Sequence, residues 1–179
     1  YSDGGCPSLL LEPASTNLIA YSEDFSNAYW TKNSSSVTSG FTSPKGDLSA
    51  FKMTANSSTS DIFRVTSGTS GVQYTNTLYV KRLSGSGVVK LKDTNNIMTA
   101  ITLNTEWQRF ERTETSNSTN ILSGLRMESI GDEILIWGSQ VEQKSYATSY
   151  IKTIGTTQSR SADTATGSGN STVINSSEG

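Results

Sequence analysis

The sequence predicts an all-β chain folded as an antiparallel β-sandwich of jelly-roll type, and three observations carry that expectation. Apolar and polar residues alternate with period 2 in short runs, whereas no segment keeps the i, i+3, i+4 spacing of a helix beyond a turn or two. The runs recur at intervals of roughly 10 to 14 residues, as in sandwiches and jelly rolls. Ser and Thr fill 55 of the 179 positions, while hydrophobic residues are only 33% and charged residues 17%. A thin sandwich with hydroxylated outer faces accommodates this composition, because a strand wetted on one side needs apolar residues at only every second position.

In chain order the strands are expected at residues 49–54, 61–66, 74–83, 87–93, 97–103, 107–113, 121–127 and 133–141. Between them stand "SGTSG" (67–71), "SGSG" (84–87), "DTNN" (93–96) and "SIGDE" (129–133). Their Gly and Asn residues tolerate the positive φ that chain reversals need. In the 74–83 run, Leu78 and Val80 face one way, and Thr77, Tyr79 and Lys81 the other. In "WQRFERT", Phe110 and Gln108 share the apolar side, opposite Trp107, Arg109 and Glu111. The 133–141 run is apolar on both faces (Ile134 and Ile136; Leu135 and Trp137), which predicts a central, doubly covered strand. From Thr153 large apolar residues become scarce, so residues 1–152 are expected to form the domain and 153–179 an irregular Gly/Ser/Thr-rich tail, a linker or the start of a following domain.

Charge and residue types exclude several classes. The net charge is −2, with Lys and Arg scattered singly, so the basic stripe of a nucleic-acid-binding protein is missing. No apolar run approaches the ~20 residues of a membrane helix. With no histidine and a single Cys6, there is no Ser-His-Asp or Cys-His constellation, no internal disulfide and no thiolate–imidazole zinc site. The acidic pairs Glu23/Asp24 and Asp132/Glu133 are candidates for glycoside hydrolysis by residue type alone, and strand neighbours point to opposite faces. The chain opens at Tyr1 without methionine, which predicts a piece of a longer protein. The N-x-[ST] matches at Asn33, Asn56, Asn117, Asn170 and Asn175 are what chance supplies in so Ser/Thr-rich a chain.

Four stretches then stand out: "LLLEPASTNLIAYSEDFSNAYWTK", "YTNTLYVKR", "WQRFERTET" and "ILIWGSQVEQKSYATSYIKT". In this order, over about residues 5–153, the chain resembles a module of phage tail and fibre proteins and some bacterial surface proteins, similar to the galactose-binding-like, jelly-roll carbohydrate-binding modules. Lys152 departs from the resemblance, standing where such modules often have proline, and "VINSSEG" near the end resembles the start of a lectin-like neighbour. The resemblance implies that the N-terminal stretch, residues 9–30, forms a strap pairing with the last strand and burying several of Leu9, Leu10, Leu11, Leu18, Ile19 and Phe25. It also implies core positions for Trp30 and Trp137. Such modules often hold a structural calcium near the first strand, for which Glu23 and Asp24 are the candidate ligands, but Ser26 stands where they commonly place an acid, so a solvated turn or helix-start cap is expected there and no cofactor.

The function these features imply is non-catalytic: a carbohydrate- or receptor-binding module on a virion tail or extracellular surface, binding a polysaccharide or cell-surface glycan. The expected site is carried by Tyr79, Lys81, Trp107 and Arg109 on the polar-aromatic face, with Arg64 on a neighbouring strand. Sugar C–H faces stack on aromatic rings, and basic groups bond hydroxyls. Other domains of the parent protein are expected partners, and fibre proteins imply a homotrimer. The alternatives are a structural spacer of a virion fibre and an accessory domain of a polysaccharide-degrading enzyme.

Overall fold

The computed structural model describes residues 11–164; Cys6, Leu9, Leu10 and the "VINSSEG" stretch lie outside them. Among the described residues there are twelve strands and no helix: β1 (Ser15–Asn17), β2 (Thr31–Asn33), β3 (Ser35–Phe41), β4 (Ala50–Ala55), β5 (Ser60–Ser67), β6 (Gln73–Ser84), β7 (Val89–Lys92), β8 (Met98–Ile101), β9 (Gln108–Thr115), β10 (Asn120–Met127), β11 (Glu133–Glu142) and β12 (Gln158–Arg160). Two five-stranded antiparallel sheets, ordered β2-β5-β10-β7-β8 and β3-β4-β11-β6-β9, form the sandwich, and β1 pairs with β12 beside it. All eight expected strands are present with ends shifted by a few residues.

Alternation places the core between the sheets. Ile62 of β5, Leu91 of β7 and Leu125 of β10 meet Leu78 and Val80 of β6 and Ile134 and Ile136 of β11, all buried. Each such side chain contributes about 1.5–3 kcal/mol relative to exposure. Trp30 joins this core, its ring centroid 4.8 Å from that of Phe25 and its Nε1 donating to the Tyr21 carbonyl at 3.0 Å. β11 is central, with β4 on one side and β6 on the other.

The expected strap is ordered, but its ladder differs from the expectation: β1 pairs with β12 rather than with β11. Its link to β11 is made by the Leu18 amide, which donates to the Val141 carbonyl at 2.8 Å, and by the Asn17 side chain. Ile19 and Phe25 are buried, whereas Leu11 is exposed. Past residue 152 the described chain is irregular except for β12, and it stays bonded to the strap. The Gly155 amide donates to the Ala20 carbonyl at 2.7 Å, β12 follows, and Arg160 pairs with Glu12 at 2.5 Å. The strap therefore has a partner strand only because the chain returns alongside it.

Candidate functional site

The outer face of the β3-β4-β11-β6-β9 sheet is organised in rows fixed by register. Leu135 of β11 lies between Lys52 of β4 and Lys81 of β6; one pair along, Tyr79 lies between Trp137 and Arg109. A bulge after Trp137, where Gly138 takes φ +64, lets Gln140 and Glu142 also point outward opposite Thr77 and Thr75. A Cβ at Gly138 would stand 3.2 Å from the Tyr79 ring and 3.3 Å from that of Tyr150, so the close approach as well as φ favours glycine.

The segment between β11 and β12 roofs half of this face. Tyr150 lies 4.5 Å from Trp137 and 6.4 Å from Tyr79, centroid to centroid, and its hydroxyl hydrogen-bonds that of Ser22 at 2.6 Å. Burial pushes the Tyr150 phenol far above its ordinary value, against the opposing effect of the Ser22 bond and aided by the nearby Glu23 charge. Glu142, fully buried, accepts from Ser15 Oγ and Thr148 Oγ1 at 2.5 Å each, from Gln140 Nε2 at 2.7 Å and from the Thr148 amide at 3.0 Å. Four donors satisfy a carboxylate that would otherwise be costly to enclose.

Four of the five expected site residues share this face. Arg109 sits 5.6 Å over the Tyr79 ring and is held by Thr77 Oγ1 (3.1 Å) and the Thr148 carbonyl (2.8 Å), while Tyr79 meets Trp137 edge-on at 5.2 Å. Both lie at the roof's margin. Trp107 and Lys81 lie past it, half-buried, with Lys81 Nζ 5.6 Å from the indole centroid. Lys52 and Glu133, not singled out by sequence reasoning, complete the open half with a 2.6 Å ion pair. The hydrogen bond from Lys52 holds the Glu133 carboxyl below the usual range, leaving an anionic acceptor beside the Lys52 ammonium. Trp137 is buried as expected, but beneath the roof on the outer face rather than between the sheets.

Arg64 is a correction. It belongs to β5 in the opposing sheet, where its guanidinium stacks 4.0 Å over Tyr29 and donates to the Tyr29 carbonyl at 3.1 Å. Alternation reveals which side of a strand a residue occupies, and leaves open which sheet the strand joins.

The acidic pairs diverge. Glu23 is buried and held by Lys152 at 2.6 Å and Lys45 at 3.1 Å, whereas Asp24 Oδ1 accepts from Ser26 and Asn27 in a tight turn. Asp132 accepts from Arg82 at 2.9 Å and the Gly87 amide at 2.7 Å, while its neighbour Glu133 faces Lys52. Among the described residues no three His, Cys, Asp or Glu side chains cluster as a metal site.

No protein-family model matches this chain. No curated protein matches it in sequence. Among solved structures it is similar to the C-terminal family 22 carbohydrate binding module of Clostridium thermocellum Xyn10B, with TM-score 0.52 and 13% identity over 76% of this chain and 100% of that one. It is similar also to the CBM22-1 xylan-binding domain of Paenibacillus barcinonensis Xyn10C, with TM-score 0.51 and 13% identity over 74% of this chain and 94% of that one. The enzymatically active domain of bacteriophage CBA120 tailspike protein 4 gives TM-score 0.51 and 8% identity over 70% of this chain, which spans only 21% of that one. The fold is a jelly-roll β-sandwich like that of carbohydrate-binding modules.

Proposed function

We propose that this chain is a non-catalytic carbohydrate-binding module of a phage tail fibre or surface protein, taking a cell-surface or environmental polysaccharide on the open half of its outer face. The observation that carries this reading is the half-buried Trp107 ring beside Lys81 on the open half of the face, with the Lys52–Glu133 pair on the far side of Leu135. A pyranose stacks its C–H face on the indole. Its hydroxyls accept from Lys81 and Lys52 and donate to Glu133. Tyr79 and Arg109 position this surface from below, fixed themselves by the roof. The likeness to a xylan-binding domain supports a polysaccharide ligand, and the likeness to a bacteriophage tailspike domain supports a virion or extracellular setting. Other domains of the parent protein and a homotrimer are part of the same proposal.

Catalysis is not part of this reading, because the carboxylates of both acidic pairs are occupied by lysines, arginine or turn amides. Nor does it require calcium, since Glu23 is neutralised by two lysines. The test is a glycan array and polysaccharide pull-down with the full chain. Saturable binding to a defined glycan is expected, and no signal above background would indicate a spacer. Release of reducing ends from a bound polysaccharide would overturn the non-catalytic reading.

A further inference from the structure

Two of the three most exposed large apolar side chains among the described residues border one hollow. Leu48, 69% exposed, stands on the connection between β3 and β4, and Ile154, 76% exposed, on the segment between β11 and β12. Apolar residues scattered singly over a surface are ordinary, whereas two that meet at one concavity mark a contact site. The hollow encloses about 400 Å³, within the range of ligand pockets. It lies at the β3–β4 edge of its sheet, whereas Trp107 directly precedes β9 at the opposite edge. Phe51 and Tyr21 also line it, and the Tyr21 ring lies 5.4 Å from that of Tyr29, itself stacked against Arg64 at 4.0 Å. Two charged residues complete the lining with bonding capacity to spare. Lys152, the departure from the proline of the resembling modules, donates to the buried Glu23 at 2.6 Å, and the other hydrogens of its half-exposed ammonium meet no acceptor among the described residues. Asp24 Oδ1 is taken up by the amides of Ser26 and Asn27 and by the Ser26 hydroxyl, while its Oδ2 accepts no hydrogen bond from the described residues.

We infer that this hollow is a subsite for an acetamido sugar, which rests on the carbohydrate-binding reading but not on the Trp107 face. A sugar that carries only hydroxyls would leave Leu48 and Ile154 uncovered. An acetamido group matches the lining part by part: its methyl covers the two exposed apolar side chains, its N–H donates to Asp24 Oδ2, and its carbonyl accepts from the Lys152 ammonium. The C–H face of the pyranose rests on Tyr21. Both signs of charge stand in the lining, so a neutral group with one donor and one acceptor is favoured over an anionic or a cationic one.

The experiment is an NMR titration of the methyl-labelled full chain with triacetylchitotriose and with cellotriose, which share a β-1,4 backbone and differ by acetamido groups in place of hydroxyls. Saturable shifts of the Leu48 and Ile154 methyl signals are expected with the first and not with the second. Leu48→Ser and Ile154→Ser, both at exposed positions, should each weaken that response about three- to tenfold, the scale of covering one or two methyl groups, and leave the Tm unchanged. Equal shifts with both trisaccharides, or shifts indifferent to both variants, overturn the subsite. Methyl signals that move only with protein concentration also overturn it, by making the patch a contact between copies of the chain. Silent methyls beside a Trp107 indole that responds to a glycan-array hit overturn the subsite and leave the carbohydrate-binding reading standing. Responding methyls beside a silent indole support the subsite and overturn the face. No array hit and silence at both places overturn both.

Discussion

Asn17 and Val141, separated by 124 residues, share both backbone polar groups of one β11 position with the strap: Asn17 Oδ1 accepts from the Val141 amide at 3.1 Å, and the Val141 carbonyl accepts from Leu18. Asn17 is fully buried, and its amide nitrogen donates to the carbonyls of Ser139 (3.1 Å) and Ile151 (2.9 Å). Asn17→Ala should cost about 1–3 kcal/mol, because it strands these groups out of water. Asn17→Asp should cost more, since a carboxylate then faces two carbonyls. Urea unfolding reads both, and unchanged midpoints would show that the strap is not part of the cooperative unit.

Gly124 of β10 is a second point of close contact. A Cβ there would stand 2.2 Å from the Ile62 carbonyl oxygen and 2.6 Å from the Phe63 Cα, both backbone atoms of β5 that cannot swing aside. Gly124→Ala should lower stability by about 1–3 kcal/mol, the usual toll of overpacking. Thermal unfolding checks it, and a neutral result would mean that β5 and β10 separate more easily than their ladder implies.

Stability should fall in acid through Asp61. Burial alone would raise its carboxyl, yet the hydrogen bonds from Arg126, bidentate at 3.0 and 2.9 Å, and from Lys92 outweigh burial and hold it below the usual range. The folded value is depressed, so the stabilisation is present above the unfolded value of about 3.9 and is lost as pH falls through the folded one. Urea midpoints between pH 7 and 2.5 should decline, and less steeply in Arg126→Met. An identical slope in that variant would remove Asp61 from the account.

Much of the fold was legible because the core-forming strands carry the period-2 signal: Leu78 and Val80, or Ile134 and Ile136, announce their side directly. β1, β2 and β12 were not, because "STN", "TKN" and "QSR" contain no apolar residue and are held by pairing and by polar side-chain contacts. β3 was missed for a related reason, since only Val37 and Phe41 of "SSVTSGF" are apolar. The shared face of Tyr79, Lys81, Trp107 and Arg109 followed from adjacent-strand alternation. The roof did not, because an irregular segment such as "QKSYATSY" has no period to read, and without it the cover over Trp137 on the outer face and the half-closure of the site could not be foreseen.

Tyr79 and Trp107 should therefore respond differently to truncation. Tyr79 is wedged among Trp137, Tyr150 and Arg109, so Tyr79→Ala should lower stability by about 1–3 kcal/mol as the roof loses its packing. Differential scanning calorimetry decides this, and an unchanged Tm would make Tyr79 a surface residue in energetic terms.

The most direct test is the affinity of Trp107→Ala for whichever glycan the array identifies, measured by isothermal titration calorimetry alongside its Tm. Trp107 is the residue to which the proposal assigns the stacking contact, and it lies outside the buried cluster between the sheets. The account predicts a loss of about 1–3 kcal/mol in binding with the Tm shifted by no more than about 2 °C. Undiminished affinity, or a collapse of stability with the binding loss, would contradict it.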